Sequence, residues 1–221
     1  IVIKARKKFK CEGFVDYREL LKLKTIDLVV IATPTQTHEI IAKECIKHKK
    51  TIILEKPLTP KLADTINLKK LAKKYNTDII PFFNFRFVEE FEIIKKIINT
   101  NLIGEIFLIK RNVSYFNRRD DWQSLLSEGG GIINAAAIHH IDQIIKLNGN
   151  YPTIVWKDIR KVISKGDAPD HCKILFKFKN NCIADLEVSW AEASSSYPWQ
   201  IFGAKGSIRQ VKNILECKWF V

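Results

Sequence analysis

The 221-residue sequence predicts a mixed α/β protein: part of a doubly wound parallel sheet, then an α+β region built on a large open antiparallel sheet. Three observations predict it. Short apolar runs alternate with helical periodicity over the first third, the signature of βαβ units. Later stretches alternate apolar and charged residues with period two, as a half-covered sheet requires. Between them the character changes near Phe83–Arg86, so residues 1–83 and 84–221 are expected to form separate domains.

Residues 4–10 are basic and end a helix, and residues 16–21 form a short second one. The run 26–32 (IDLVVIA) is continuously apolar, which predicts a strand buried on both faces. Thr33-Pro34-Thr35 breaks it, and the pairs Ile41/Cys45 and Ala42/Ile46 then recur at helical spacing. Residues 51–54 form the next strand, ended by Glu55-Lys56-Pro57. Thr59 is the expected N-cap, with Pro60 at the first helical position, of a helix reaching Tyr75. A third strand covers 78–83, a helix 88–98 and a long strand 105–115, with Gly104 between the last two. A helix over 134–147 follows three glycines. In 172–179, Ile174, Phe176 and Phe178 share one face; in 183–190, Ala184, Leu186, Val188 and Trp190 do. Asn180-Asn181 between these runs is a hairpin signal.

Composition narrows the function classes. With 46% hydrophobic and 28% charged residues, the chain reads as an ordinary soluble globular protein. No apolar run approaches the roughly 18–20 residues a membrane span needs. Five scattered cysteines without a C-x-x-C pair argue against a disulfide framework or a metal site, and they suit the cytoplasm. The net charge of +13 comes from lysines on amphipathic helix faces, such as Lys69-Lys70 and Lys73-Lys74. They are not interleaved with aromatic residues along a strand, so nucleic acid is not the expected partner.

Three clusters carry chemistry. Ala32-Thr33-Pro34-Thr35-Gln36-Thr37-His38 and Glu55-Lys56-Pro57 each follow a parallel strand, where open α/β sheets bind ligands. An ammonium at such a strand end can hold a substrate oxygen and, partly desolvated, join proton transfer. The third is Gly129-Gly130-Gly131-Ile132-Ile133-Asn134-Ala135-Ala136-Ala137-Ile138-His139-His140-Ile141-Asp142. There His139 and Asp142 are three apart and share a helix face, so a carboxylate could fix the imidazole's tautomer. Taken singly, each cluster also has a plainer reading: a βα turn, a surface lysine, a capped helix with ordinary histidines.

In combination and in this order, the clusters resemble the Gfo/Idh/MocA oxidoreductases, which include glucose–fructose oxidoreductase and inositol dehydrogenase. Asn84-Phe85-Arg86, Arg118-Arg119-Asp120-Asp121-Trp122 and Gly203-Ala204-Lys205-Gly206 extend the resemblance from about Phe14 to the end of the chain. It implies a Rossmann-type first domain, NAD or NADP as cofactor, and a sugar, sugar derivative or cyclitol as substrate. It also implies a homo-oligomer, dimer or tetramer, paired through the open sheet. Lys56 and His139 would be the catalytic residues. Ala32, Thr33, Pro34, Thr35, His38, Glu55, Lys56, Pro57 and Trp122 would lie along the cofactor. Lys56, Arg86, Arg119, Trp122, Asn134, His139 and Asp142 would meet the substrate.

Two departures stand out. The glycine-rich G-x-G-x-x-G phosphate loop and its acidic ribose partner have no counterpart, and methionine is absent; in family order this unit is expected to precede Ile1. Four residues before the histidine, where the family usually has Asp or Asn, this sequence has Ala135. That keeps open a second reading, a non-catalytic regulator of the same fold that binds cofactor or sugar. It also makes Asp142 the candidate to orient His139 instead.

Overall fold

The computed structural model describes residues 2–194 and 196–220. The chain divides into two compact units at Phe82/Phe83, one residue before the expected boundary. In the first, α1 (Val2–Phe9) and α2 (Tyr17–Leu21) precede β1 (Leu28–Ile31), α3 (Thr35–Lys47), β2 (Thr51–Glu55), α4 (Leu62–Tyr75) and β3 (Ile79–Phe82). Asp16 caps α2, its carboxylate accepting from the Arg18 amide at 2.9 Å. The three strands form a parallel sheet in the order β1-β2-β3, with Ile31 opposite Leu54 and Leu54 opposite Pro81.

Two expectations for this unit are corrected. α4 starts after Lys61 rather than at Thr59-Pro60. The Thr59 hydroxyl instead donates to the Lys61 carbonyl at 2.7 Å and lies 2.5 Å from the Thr65 hydroxyl, bracing the loop before the helix. β1 is also not buried on both faces. Ile31, Ile52 and Leu54 pack with Ala42, Cys45 and Ile46 of α3 and Leu68 and Ala72 of α4. Leu28 and Val30, on the alternate face, are 46% and 60% exposed. Leu28 and Val30 keep the apolar character of a strand covered on both faces, although the described residues cover only one of them.

The second unit opens with a 3-10 turn, Asn84–Phe87, followed by α5 (Glu89–Asn99) and β4 (Ile106–Ser114). A π-helical turn (Ile133–Ala137) leads into α6 (Ile138–Asn148), and six more strands follow. These are β5 (Ile154–Arg160), β6 (His171–Lys177), β7 (Ile183–Ser189), β8 (Trp199–Gly203), β9 (Gly206–Val211) and β10 (Ile214–Trp219). They form one seven-stranded sheet, ordered β10-β9-β8-β4-β7-β6-β5. The sheet is not wholly antiparallel: β4 and β7, at its centre, pair parallel. The β6–β7 hairpin turns at Asn180-Asn181 as expected, with Asn181 at φ 61° and the Phe178 amide bonded to the Cys182 carbonyl at 3.0 Å. Its inward residues Ile174, Phe176, Ala184, Leu186 and Val188 join Phe91 and Ile94 of α5 and Ile144 of α6 in one core. Each such fully buried aliphatic side chain contributes roughly 1.5–3 kcal/mol, which seats α6 firmly on the sheet.

Candidate functional site

In the first unit, the expected cofactor residues fall on two turns at the carboxyl ends of β1 and β2. His38, in the first turn of α3, is buried and joins them. Its Nδ1 lies 3.0 Å from the Pro57 carbonyl and its Nε2 2.9 Å from the Thr33 carbonyl. His38 therefore sits between the Ala32–Thr35 turn and the Glu55-Lys56-Pro57 turn, its ring N–H donating to one of the two carbonyls; the Lys56–Pro57 peptide is cis. The Thr33 and Thr37 hydroxyls, 2.7 Å apart, close the first turn on itself. Burial pulls the Lys56 ammonium below its ordinary pKa, against the pull of the neighbouring Glu55 carboxylate. Hydroxyl and carboxylate oxygens with one ammonium form a donor and acceptor set suited to ribose hydroxyls and a polar substrate atom. These residues fit the nicotinamide-ribose part of a dinucleotide. For the pyrophosphate, the chain has no G-x-G-x-x-G to present its amides.

In the second unit, the glycines shape the entry to α6. Gly131 adopts φ +101°, and a Cβ at Gly130 would stand 2.4 Å from the Gln123 carbonyl oxygen, so that loop passes too closely for any side chain. The Asn134 amide donates to the Gly129 carbonyl at 3.1 Å, drawing the glycine turn onto the helix start. Ala135 sits in the π-helical turn, half-buried against the core. Such turns add a residue to the helical ladder and re-aim the side chains that follow.

His139 and His140 differ sharply. His140 is a core histidine: burial first, and the Arg111 guanidinium second, push it down to about 3. The Gln143 amide nitrogen donates to the Phe85 carbonyl at 2.7 Å, which leaves Gln143 Oε1 as an acceptor 3.1 Å from His140 Nδ1. The Arg111 Nε donates to the same His140 nitrogen at 3.3 Å. Beneath them Arg111 is buried, its guanidinium 4.4 Å from the Trp199 ring and donating to the Pro198 carbonyl at 3.0 Å. Desolvation pushes its pKa down to about 9. His139, also buried, stacks on Phe85 with ring centroids 4.2 Å apart and planes 16° apart, and meets Phe83 edge-on at 6.3 Å.

Asp142 shares the face of His139, as the spacing predicts. Both its oxygens accept from Arg86, at 2.6 and 2.7 Å, in a bidentate pair. The two residues expected to meet substrate are thus committed first to each other. Arg119 is similarly engaged: it pairs with Asp121 and lies 5.0 Å over the Trp190 ring, while Arg118 donates to the Ile163 carbonyl at 3.2 Å. Trp122 is 55% exposed. The sequence reading missed Asp170. Fully buried, it accepts from the amides of Val162, Ile163 and Ser164 at 2.7, 2.8 and 2.6 Å. Burial alone would raise its pKa, but those amides outweigh burial and lower it. The segment so anchored holds the Trp122 loop, through Ala168 N–H to the Ser124 carbonyl, and receives the Ile132 amide on the Pro169 carbonyl. An acid just before an alternating strand was the only available hint.

The first unit thus carries turns at the carboxyl ends of a parallel sheet, and the second a glycine-led histidine helix against a larger sheet. The chain belongs to the Gfo/Idh/MocA family: residues 2–82 match its oxidoreductase, NAD-binding Rossmann-fold domain and residues 91–209 its C-terminal domain. An uncharacterised oxidoreductase of Synechocystis sp. is 27% identical over 215 residues, covering 89% of this chain and 57% of the relative. The myo-inositol 2-dehydrogenase of Thermotoga maritima is 28% identical over 206 residues, covering 89% of this chain and 60% of the relative. An NAD-binding protein from Listeria innocua superposes with a TM-score of 0.87 at 26% identity, covering 93% of this chain and 59% of that one. The WlbA dehydrogenase from Bordetella pertussis, solved with NADH and UDP-GlcNAcA, shares the fold at a TM-score of 0.87 and 19% identity, over 100% of this chain and 66% of that one. This chain spans little more than half the length of the first two relatives.

Proposed function

We propose that the protein is an NAD(P)-dependent dehydrogenase acting on a hydroxyl-bearing carbon of a sugar, sugar derivative or cyclitol. The observation that carries the reading is His139: buried, set on a glycine-led helix against two aromatic rings, in a chain of this family. A bound nicotinamide would supply the hydride acceptor. His139 takes the proton of the substrate hydroxyl, and the Lys56 ammonium is the first unit's candidate to steady a developing alkoxide. Its lowered pKa fits that task, since a partly desolvated ammonium interacts more strongly with a nascent alkoxide than a solvated one. His140, pushed down to about 3, stays neutral and structural. The similarity to a myo-inositol 2-dehydrogenase supports a polyhydroxylated substrate.

Ala135 supports a second reading, a non-catalytic regulator that binds cofactor or sugar. Calorimetric titration of NAD and NADP into the intact protein, followed by a screen of sugars and cyclitols, tests both. Binding and turnover that falls at least about 100-fold in His139→Ala support the dehydrogenase. Binding without turnover supports the regulator, and no binding of either nucleotide overturns the dehydrogenase and leaves only a regulator that binds sugar. A homo-oligomer paired through the open sheet face belongs to the same reading. Trp156 and Leu175, opposite each other on β5 and β6, are 53% and 37% exposed there, and sedimentation of Trp156→Lys tests the pairing.

A further inference from the structure

We propose that Phe85 is the positioning residue for His139, setting its imidazole by ring stacking in a chain that has Ala135 where the resemblance implies Asp or Asn. The inference rests on the assignment of His139 as the acid/base. The near-parallel rings, 16° apart at 4.2 Å, restrict the imidazole to rotation within the plane of Phe85, and the edge of Phe83 at 6.3 Å limits that rotation.

Phe85 is itself held from two sides. The Gln143 side chain bonds the Phe85 carbonyl at 2.7 Å, and the next residue, Arg86, makes the bidentate pair with Asp142. Gln143 and Asp142 lie one turn beyond His139 on the same helix, so the 3-10 turn and the histidine are fixed to a common frame. Arg86 also lies 5.0 Å over the Phe83 ring, which extends that frame to the second aromatic wall. Gln143 is buried, with its Oε1 3.1 Å from His140 Nδ1. Asp142 therefore acts on His139 indirectly, through Arg86 and the ring beside it.

The test uses the intact protein with Phe85→Leu, Phe85→Tyr, His139→Ala and a stability control, Phe178→Leu, in the β6–β7 hairpin core. Phe85→Leu keeps apolar volume but removes the flat face. It is expected to lower kcat about tenfold at unchanged cofactor KM, because small misplacements of a reacting group are costly. Phe85→Tyr restores kcat to within about twofold, since it keeps the same ring face. Phe178→Leu lowers the melting temperature without moving kcat. In the NMR spectrum, the His139 ring protons of the wild type and Phe85→Tyr are shifted upfield by the ring current, and Phe85→Leu abolishes the shift.

Phe85→Leu turning over like wild type while His139→Ala is inactive overturns the proposal and spares the acid/base assignment. So does a Phe85→Tyr as slow as Phe85→Leu, or an unshifted His139 ring in the wild type. His139→Ala turning over like wild type instead overturns the assignment on which the proposal rests.

Discussion

Replacing Asp170 by Asn should destabilise the second unit by about 3 kcal/mol at pH 7. In the wild type one carboxylate oxygen accepts from Val162 and the other from Ile163 and Ser164. Asparagine keeps one oxygen, which can serve the Ile163 and Ser164 amides, and turns its NH2 toward the Val162 amide. One charge-assisted hydrogen bond is lost outright, worth about 1.5–3 kcal/mol, and the other two lose their charge assistance. The sign with pH follows from the lowered pKa. Asp170 ionises below the 3.8 of an unperturbed aspartate, so its stabilisation is fully present above that value. It is lost as pH falls through the folded-state pKa. All five tryptophans belong to residues 83–221, so urea unfolding followed by tryptophan fluorescence reports on this unit alone. The deficit of Asp170→Asn should be largest at neutral pH and close in strong acid. A difference under about 1 kcal/mol at pH 7, or one that widens on acidification, would refute the reasoning.

Two further outcomes follow from the same geometry. His38→Ala removes the side chain that faces both the Thr33 and Pro57 carbonyls; it should cost the first unit about 2 kcal/mol and weaken NAD or NADP binding several-fold by calorimetry. Gly130→Ala places a Cβ 2.4 Å from the Gln123 carbonyl oxygen, and the shift it forces should lower stability by about 1–3 kcal/mol or more and reduce turnover with it, as thermal melts and initial rates would report.

The fold class was legible because it rests on local signals. The helices over 35–47 and 138–148, the strands at 28–31, 51–55 and 79–82, and the Asn180-Asn181 hairpin announce themselves by apolar period and turn chemistry. Candidate site residues were legible as residue types at strand ends and on one helix face. Hidden from the sequence were relations between segments far apart in the chain. Nothing near Thr59 revealed that its hydroxyl would brace the loop before α4 rather than cap the helix. No local pattern tells that β4 pairs parallel with β7, 75 residues away by the Leu108–Ile183 register. Spacing placed Asp142 beside His139, but only packing decided that Arg86 would take both its oxygens and that Phe85 would lie flat on the imidazole. Likewise, two adjacent histidines look alike in sequence; burial beside Arg111 makes one a neutral core residue and leaves the other against the aromatic wall. Periodicity and residue chemistry are properties of neighbours in the chain and can be read directly. Partner choice and desolvation depend on which distant surfaces meet, and only the tertiary structure decides that.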